Sequence, residues 1–495
     1  MIIRDIMVRT RIAPSPSGFL HIGTSKTALY NWLFARKNNG TFILRLEDTD
    51  AERTDEQYVQ GMCEGFKWLG IDWDEGPPFG DVPEKGNYGP YRQSQRKELY
   101  KKMAYQLLEQ GKAYKCFCSK ESLESYKDET GNLYYPGFCR NLTPEQIREK
   151  GNAPYVIRFR VPEGETVVND LIQGTVVFKN SQYDDFIILR ANGDPVFHLA
   201  VVVDDITMKI THVIRGDDHL TNTPRHIMLF NALDAPLPHY AHHPLVHDEQ
   251  GRKYSKRLHG ANVLDWRDDG YLPEAILNYV ALLGWTSEEE NREFFTIPDL
   301  IEHFSIERIN KSSARFDRKK LEWLNGLHIR NLPVENLRDR LIPILEKHGF
   351  DTSSKSKEWL TKLAQICQEK LPTLNRIVFL SDFFFKDFDT YEPEAEAKLW
   401  KAPEITINYL KNIQNKLSSV SIWEHDPLKK AFEEVCAELN LKLGALVNPT
   451  RLALTGKSVG PGFFELVELL GKEKTLERLS RAIEYLHNKG GINCE

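Results

Sequence analysis

Residues 7–46 read MVRTRIAPSPSGFLHIGTSKTALYNWLFARKNNGTFILRL, and this stretch indicates the fold. Met7–Ala13 has the alternation of a short strand, and two prolines and a glycine then break it. An apolar helical face follows; Thr24 is expected to cap that helix, and Asn38-Asn-Gly40 to end it. Thr41–Leu46 predicts a second strand. A strand, a helix and a strand in about 40 residues are typical of a parallel α/β sheet.

The turn between the first strand and the helix is a candidate anion site. In a doubly wound sheet, ligands bind at this point, where the helix N-terminus presents free N–H groups. Gly18 and Gly23 let the backbone approach a ligand closely, and His21 can hydrogen-bond an oxyanion. The turn matches neither GxxxxGK[ST] nor GxGxxG, which argues against P-loop and dinucleotide sites. Taken alone, it is also explained by a capped helix with an incidental histidine.

A second candidate for phosphate binding is the basic loop at residues 251–257, with the sequence GRKYSKR. A loop with two lysines, a serine and an arginine can neutralise the charge that develops on a triphosphate. Taken alone, such a basic run is more often a solvated surface.

The rest of the chain has other sequence patterns. Residues 80–160 interrupt the alternation of strands and helices and are interpreted as an insertion. Leu199–Val203 is an apolar run that we interpret as a strand buried on both faces. Helical spacing dominates from about residue 265, and residues 330–495 are predicted to be all-helical. Further strand-like runs lie at 155–161, 175–179, 186–190 and 212–215.

The composition is that of an ordinary globular protein. Of the 495 residues, 41% are hydrophobic and 27% are charged, which excludes a disordered or collagen-like chain and suggests about three domains. The net charge of −6 argues mildly against a nucleic-acid binder, although it leaves room for local basic patches. The N-terminal residues lack the features of a signal peptide, and no apolar run has the ~18 residues of a spanning helix. The expected location is the cytoplasm, with no membrane partner.

Three of the seven cysteines lie close together in the sequence. Cys116, Cys118 and Cys139 suggest a metal site more than oxidised pairs, because seven cysteines in 495 residues are too few for a disulfide scaffold. Structural zinc requires four ligands, so a fourth must come from another side chain. Ordinary buried thiols are the alternative.

His21-Ile-Gly-Thr24 resembles the HIGH motif, and Lys253-Tyr-Ser-Lys-Arg257 the KMSKS motif, of class I aminoacyl-tRNA synthetases. Other segments narrow the resemblance to glutamyl-tRNA synthetase, and they occur in the family's order along the whole chain. These segments are Arg11–Gly18, Phe42–Asp50, Tyr91–Ser94, Val213–His219, Phe316–Asn325 and Arg451–Gly456. So many motifs in the correct order are far more specific than one.

The resemblance implies an α/β fold: a Rossmann-like class I catalytic domain with an inserted acceptor-binding subdomain, followed by an all-α stem-contact and anticodon-binding region. The implied boundaries are 1–80 with 200–260 for the catalytic domain, 81–199 for the insertion, 261–330 for the stem-contact domain and 331–495 for the anticodon-binding domain. A monomer is expected, since the sequence has no heptad seam or large apolar stripe.

The resemblance also implies ATP-dependent attachment of L-glutamate to tRNA-Glu through a glutamyl-adenylate, with release of AMP and pyrophosphate. ATP is expected as its Mg²⁺ complex, bound mostly through phosphate oxygens. The implied catalytic residues are His21, Thr24, Lys253 and Lys256. The implied ATP-binding residues are His21, Gly23, Thr24, Lys253, Ser255, Lys256 and Arg257.

For L-glutamate, the resemblance implies a site made of Arg11, Ala13, Ser15, Glu47, Phe197 and Arg215. The chemistry fits, because a guanidinium binds a carboxylate through two hydrogen bonds and a carboxylate pairs with an ammonium group. A simple pair between Arg11 and Glu47 is the structural alternative. Phe197 departs from the family's usual tyrosine, and its ring has no hydroxyl to donate. Water or His198 would replace that hydroxyl, unless His198 is an ordinary core residue.

The metal ligands and tRNA contacts are implied in the same way. Tyr135 is the implied fourth zinc ligand, since Asn141 stands where many relatives have histidine. If zinc binds, its role is structural. Lys370 is the best match for the position at which the family has a discriminating arginine, and a lysine lacks the guanidinium fork, so the sequence leaves open whether tRNA-Gln is also charged. The implied tRNA-binding residues are Arg318, Lys319, Lys320, Lys370 and Arg451.

Three other interpretations are disfavoured. The all-helical end disfavours glutaminyl-tRNA synthetase, whose relatives usually end in β-barrels. A nucleotidyltransferase with a HIGH-like turn is much shorter. A tRNA-binding protein with an inactive catalytic domain would have no need to keep His21, Lys253 and Lys256.

Overall fold

The computed structural model describes residues 7–49, 55–126, 134–248, 250–252 and 262–489. The chain divides into two compact units. One comprises Met1–Asp268 and Pro273–Arg318, and the other comprises Asp269–Leu272 and Lys319–Glu495. Within the described ranges, none of the helices has both the length and the apolarity that a membrane crossing needs.

The first unit opens with the strand–helix–strand arrangement that the sequence predicts. Strand β1 (Arg9–Ile12) lies parallel to β2 (Thr41–Leu44), and helix α1 (Ile22–Lys37) connects them. All four residues of β1 are buried, as are Leu29 and Leu33 of α1. The helix therefore packs its apolar face on this pair of strands, as in other parallel α/β units.

Helix α1 begins earlier than expected. His21, not Thr24, is its N-cap: the His21 backbone is extended, and its Nδ1 accepts hydrogen bonds from the N–H groups of Gly23 at 3.1 Å and Thr24 at 3.4 Å. The expectation that Thr24 caps the helix is wrong because the imidazole already satisfies these free N–H groups. The cap fixes the imidazole at the candidate anion site.

The other elements of the first unit follow in chain order. Its strands are β3 (Ala113–Cys116), β4 (Val156–Phe159), β5 (Glu165–Asp170), β6 (Gly174–Lys179), β7 (Ile187–Leu189), β8 (His212–Gly216), β9 (His239–His243), β10 (Val246–His247) and β11 (Ala314–Arg315). Its further helices are α2 (Glu56–Leu69), α3 (Lys97–Glu109), α4 (Lys120–Leu123), α5 (Pro144–Glu149), α6 (Phe197–Thr207), α7 (Thr223–Ala232), α8 (Val263–Asp268), α9 (Pro273–Leu282) and α10 (Ile297–His303).

A four-stranded sheet runs in the order β6, β5, β9, β8. Strand β9 is parallel to both β8 and β5, whereas β6 is antiparallel to β5. Strand β8 starts beside β1, since the N–H of Thr211 donates to the Arg9 carbonyl at 3.0 Å. Strand β5 lies within residues 81–199, so part of the expected insertion extends this sheet. The carboxyl ends of β1, β8 and β9 meet at one edge, where open α/β sheets bind ligands.

Residues 199–203 form a helix rather than the expected strand. They lie within α6, and every residue from Leu199 to Val203 is buried. The prediction is wrong because a short apolar run that is buried on all sides has no periodicity that separates a strand from a helix. Helix α6 carries the two carboxylates that follow the run, Asp204 and Asp205, into the interior.

A smaller antiparallel sheet has the order β3, β4, β7. Its residues Ile157 and Phe159 share a hydrophobic cluster with Ala104 and Leu107 of α3. Cys116 is the last residue of β3, so this sheet fixes the start of the cysteine cluster.

The predicted all-helical region is confirmed for the described residues from 331 onward. Along Pro403–Ser418 the buried residues Ile407, Leu410, Ile413 and Leu417 recur every three or four positions, which gives one apolar face. Within 261–330, β11 is a two-residue exception that pairs with β10. The helices are α11 (Arg318–Arg330), α12 (Val334–Lys347), α13 (Lys357–Cys367), α14 (Arg376–Phe385), α15 (Pro393–Leu399), α16 (Pro403–Ser418), α17 (His425–Glu438), α18 (Leu443–Thr455), α19 (Phe463–Leu470) and α20 (Lys472–Lys489).

Candidate active site

A cavity of about 450 Å³ opens at the carboxyl edge of β1, β8 and β9, beside the first turn of α1. It brings together side chains that are more than 200 residues apart in the sequence, such as Arg11 and Arg215. Eight of the residues that the sequence singles out line it: Arg11, Ala13, His21, Gly23, Thr24, Glu47, Phe197 and Arg215. The candidate phosphate turn and the candidate amino-acid residues thus face one space.

The cap at α1 determines which nitrogen of His21 is available. Because Nδ1 accepts from two backbone N–H groups, the ring proton of the neutral imidazole lies on Nε2. Nε2 is 3.2 Å from the Thr24 hydroxyl oxygen. A β-carbon at Gly23 would lie 3.1 Å from the His21 ring, so glycine permits this close packing. The helix N-terminus therefore presents an N–H donor on a fixed ring together with its own positive dipole.

Arg11 and Glu47 do not form an ion pair with each other, which was the alternative to a role of these two residues in substrate binding. The Arg11 Nε lies 3.3 Å from Asp205, and the same Asp205 oxygen is 2.7 Å from Nη1 of Arg45. Arg45 reaches Glu47 through Nη2 at 3.4 Å. The charges therefore alternate along a buried chain of Arg11, Asp205, Arg45 and Glu47.

The protonation of the two carboxyl groups in this chain differs. Burial raises the pKa of Glu47 to about 7, because Arg45 and Arg11 offset the loss of hydration only in part. Burial also opposes ionisation of Asp205, but the guanidinium groups of Arg11 and Arg45 outweigh it and lower the pKa of that carboxyl. Asp205 is thus a fixed negative charge, whereas Glu47 titrates near neutral pH.

Arg215 is a buried cation that lacks such a partner. Its Nε donates to Nε2 of His242 at 3.1 Å and its Nη2 donates to the Thr223 hydroxyl at 2.8 Å. Within the part of the chain that the structure describes, Arg215 has no ion pair with a carboxylate. Burial, and then the positive charge of Arg11, lower the pKa of Arg215 to about 10. The cavity therefore holds a guanidinium that an anionic ligand would stabilise.

Sequence reasoning missed several residues of this site. Lys26 lines the cavity, its Nζ donates to the Pro244 carbonyl at 2.8 Å, and burial lowers its pKa to about 7. The sequence pattern could have indicated Lys26, because it lies four positions from both Ile22 and Tyr30 and therefore shares their buried face of α1. The role of Asp205 was missed because this residue follows the apolar run 199–203, which suggested a strand. The role of Arg45 was missed because this residue lies inside the strand-like run Thr41–Leu46.

The remaining candidates have other positions. Ser15 is exposed and is not among the cavity-lining residues. His198 is half-buried, with its Nδ1 3.2 Å from Nε2 of His226, and is not among the lining residues either. Lys253, Ser255, Lys256 and Arg257 lie outside the described residues.

The cysteine cluster forms a separate candidate site beside β3. The Sγ atoms of Cys116, Cys118 and Cys139 all lie within 4.8 Å of one another. The hydroxyl oxygen of Tyr135 is 3.5 Å from Cys116 Sγ and accepts from the N–H of Cys139 at 2.9 Å. The three sulfurs are close enough to share one metal ion, and the Tyr135 oxygen lies beside one of them.

The candidate tRNA contacts occupy different environments. Arg318, Lys319 and Lys320 lie at the start of α11, and the first two are exposed. Lys370 is exposed in a 3₁₀ turn that follows α13. Arg451 is half-buried, and its Nη1 donates to the Pro461 carbonyl at 2.8 Å.

Two family models match the chain. The model described as the catalytic domain of class I tRNA synthetases (E and Q) matches residues 7–323. The model described as an anticodon binding domain matches residues 334–483.

Curated relatives match over nearly their full length. A glutamate–tRNA ligase 1 of Caldanaerobacter subterraneus subsp. tengcongensis is 43% identical over 97% of this chain and 98% of its own. A glutamate–tRNA ligase of Thermodesulfovibrio yellowstonii is 42% identical over 97% of this chain and 100% of its own.

Solved structures match in the same way. A crystal structure of a glutamate tRNA ligase from Elizabethkingia meningosepticum in complex with its amino acid has a TM-score of 0.86 and 31% identity, and the match covers 97% of this chain and 99% of that one. A glutamate-tRNA synthetase from Elizabethkingia anophelis has a TM-score of 0.82 and 30% identity, covering 97% and 100%.

Proposed function

Because this chain belongs to the family of class I glutamate–tRNA ligases, we propose that it attaches L-glutamate to tRNA-Glu through a glutamyl-adenylate. The reaction depends on ATP, which enters with Mg²⁺. Its products are glutamyl-tRNA, AMP and pyrophosphate.

The observation that carries this proposal is the buried guanidinium of Arg215 in the cavity beside α1. A buried charge without an opposite charge is costly, so a ligand that supplies a carboxylate is favoured. The side-chain carboxylate of glutamate fits, because the guanidinium fork can donate two parallel hydrogen bonds to it. Arg11 and Glu47 line the same cavity, so further charged groups of glutamate find partners there.

Each glutamate-binding residue receives a role on this basis. Arg215 binds the side-chain carboxylate, and Glu47 in its ionised form pairs with the ammonium group. Arg11 supplies positive charge near the carboxylates, while Ala13 and Phe197 shape the wall. The assignment of Ser15 rests on the resemblance alone.

The chemistry requires no covalent nucleophile from the protein. The α-carboxylate of glutamate attacks the α-phosphorus of ATP, and the bond to pyrophosphate breaks with its electron pair on the leaving group. The 2′-hydroxyl of the terminal adenosine of tRNA then attacks the glutamyl carbonyl, and AMP leaves. Catalysis rests on positioning and on stabilising negative charge.

The first turn of α1 is suited to the phosphates. His21 presents its Nε2–H, Gly23 allows close approach, and the helix dipole favours an anion. Thr24 adds a hydroxyl beside that N–H. By resemblance, Lys253 and Lys256 steady the leaving pyrophosphate, and Ser255 and Arg257 belong to the same sequence motif.

We also propose that the cysteine cluster binds structural zinc. In a tetrahedron with Zn–S bonds of 2.3 Å, neighbouring sulfurs lie about 3.8 Å apart. Cys118 and Cys139 have an Sγ–Sγ distance of 3.7 Å. Cys116 supplies a third sulfur, and the Tyr135 oxygen lies within reach as the fourth ligand.

The decisive experiment is charging of purified tRNA-Glu with labelled glutamate and ATP. We expect acid-precipitable label that depends on ATP and on an intact tRNA end. Periodate-oxidised tRNA-Glu, which lacks the terminal hydroxyls, is the matched control and should remain uncharged. Failure to label intact tRNA-Glu would refute the proposal and favour an inactive tRNA-binding protein or a nucleotidyltransferase.

A further inference from the structure

A buried chain of hydrogen bonds connects strand β5 to Arg215. Asp170 Oδ2 accepts from Nδ1 of His242 at 2.6 Å, and Nε2 of His242 accepts from Nε of Arg215 at 3.1 Å. The side chains of Asp170 and His242 are both 0% exposed. Sheet register sets this spacing, since Asp170 lies opposite Tyr240 and Arg215 lies opposite His242.

The direction of each hydrogen bond follows from the chemistry of arginine. A guanidinium group has donors only and stays protonated, so Nε2 of His242 must be the acceptor. The ring proton then lies on Nδ1, where the carboxylate of Asp170 accepts it. Burial, opposed by this bond to Asp170, lowers the pKa of His242 and keeps the ring neutral.

We infer that Asp170 and His242 are positioning residues for glutamate recognition. Asp170 fixes the tautomer of His242, and His242 holds the Arg215 guanidinium in the orientation that receives the substrate carboxylate. The Thr223 hydroxyl, which accepts from Nη2 at 2.8 Å, holds the same edge of the guanidinium. This inference rests on the proposed function, in which Arg215 binds the side-chain carboxylate of glutamate.

The contacts of Asp170 make Asp170→Asn an informative variant. Oδ1 of Asp170 accepts from the backbone N–H groups of Ile172 at 2.9 Å and Gln173 at 2.8 Å, whereas Oδ2 faces His242. An asparagine that keeps its oxygen on those two N–H groups turns its NH₂ group toward Nδ1 of His242. The ring proton then moves to Nε2, where it faces the N–H of Arg215. Arg215 loses its acceptor, while the retained oxygen keeps the N–H groups of Ile172 and Gln173. The backbone N–H of His242, which lies 3.2 Å from Oδ1 and 3.1 Å from Oδ2, keeps its bond to Oδ1 and loses the one to Oδ2.

A matched pair of variants tests His242 itself. In His242→Gln the amide oxygen can still accept from Nε of Arg215, whereas in His242→Leu nothing can. A positioning role predicts that the glutamine variant retains more glutamate affinity than the leucine variant. A role in packing alone predicts the reverse order, because leucine fills a buried apolar space better.

The measurement is steady-state charging of tRNA-Glu by the full chain, with KM determined separately for glutamate, ATP and tRNA. We expect Asp170→Asn to raise the KM for glutamate about tenfold or more, since a hydrogen bond to a charged group is lost. The KM values for ATP and tRNA and the melting temperature should stay near those of the wild type. Asn169→Ala, which changes the exposed neighbour on β5, should behave as the wild type.

The outcomes separate this inference from the proposed function. If the wild type charges tRNA-Glu normally and Asp170→Asn leaves the KM for glutamate unchanged, the positioning role is refuted alone. Equal increases in all three KM values with a lower melting temperature refute it too, in favour of a structural role. If the wild type fails to charge tRNA-Glu with glutamate, the proposed function is refuted, and the inference with it.

Discussion

Glu47 is a buried carboxyl group whose ionisation controls the proposed ammonium site. Burial raises its pKa to about 7, so the group is neutral below that pH and charged above it. Only the charged form attracts the ammonium group of glutamate. We therefore expect kcat/KM for glutamate to fall about tenfold per pH unit below pH 7 and to level off above it.

The pH profile has a direct control. Glu47→Gln removes the titrating group. The kcat/KM of this variant for glutamate should therefore be low and should not change with pH around pH 7. Glu98→Gln, at an exposed position of α3, should keep the wild-type profile. A wild-type profile that is flat between pH 6 and 8 would contradict the role given to Glu47.

Phe197 offers a second test at the scale of one residue. Its ring lines the same cavity as Arg215 and has no hydroxyl to donate. Phe197→Tyr should lower the KM for glutamate about threefold to tenfold, because one added hydrogen bond to a carboxylate is worth about 1 kcal/mol or slightly more. Phe197→Leu, which supplies neither ring nor hydroxyl, should raise it. Equal KM values in the wild type and the tyrosine variant would show that the hydroxyl does not reach the substrate.

Helix α6 delivers both a wall of the cavity and the buried carboxylate between two guanidinium groups. Asp205→Asn leaves Arg11 and Arg45 facing each other with less compensating charge. We expect a loss of about 3–5 kcal/mol in the free energy of unfolding of the first unit, measured by urea denaturation. Asp234→Asn is the matched control: Asp234 is 80% exposed in a 3.6 Å pair with Lys112, and such a change usually costs less than about 0.5 kcal/mol. Similar midpoints of urea denaturation for the two variants would contradict the conclusion that Asp205 stabilises the first unit.

Helix α6 also shows where sequence reasoning ends. Residues 7–46 were predictable because prolines and glycines mark the boundaries, and the two strands and α1 are found, although α1 begins at Ile22, before the expected cap. Residues 199–203 were not, since burial on all sides erases periodicity. Motif residues such as Arg11 and Arg215 could be identified by resemblance. Their buried partners, Asp205 and His242, could not, because only the tertiary fold brings them together.

The β3 segment provides a prediction about metal content. We expect about one zinc ion per chain by elemental analysis, held by the cluster of Cys116, Cys118, Cys139 and Tyr135. Cys118→Ser should lose the metal, because it removes a thiolate ligand, and should destabilise the surrounding segment. Cys63→Ser, which changes a buried thiol in α2, should retain it. Zinc-free wild-type protein with an unaltered melting temperature after chelation would contradict the proposal.

At the scale of the whole molecule, charging requires a catalytic site and the recognition of one tRNA among many. The two family matches, residues 7–323 and 334–483, divide the chain between these tasks. The net charge of −6 is compatible with tRNA binding because basic residues are concentrated locally, as at Arg318 and Lys319. We expect any selectivity between tRNA-Glu and tRNA-Gln to depend on side chains of residues 334–483, which match the anticodon binding domain.

Lys370 is the side chain on which this selectivity can be tested. It is exposed in its 3₁₀ turn. A lysine ammonium is a point charge, whereas the guanidinium of arginine can form a bidentate pair of hydrogen bonds. A bidentate contact to a base discriminates against the wrong base by about 1–3 kcal/mol. Lys370→Arg should therefore raise the ratio of kcat/KM for tRNA-Glu to kcat/KM for tRNA-Gln about tenfold. Lys398→Arg, at an exposed position of α15, should leave the ratio as in the wild type. An unchanged ratio in Lys370→Arg would contradict a role of this turn in distinguishing the two tRNAs.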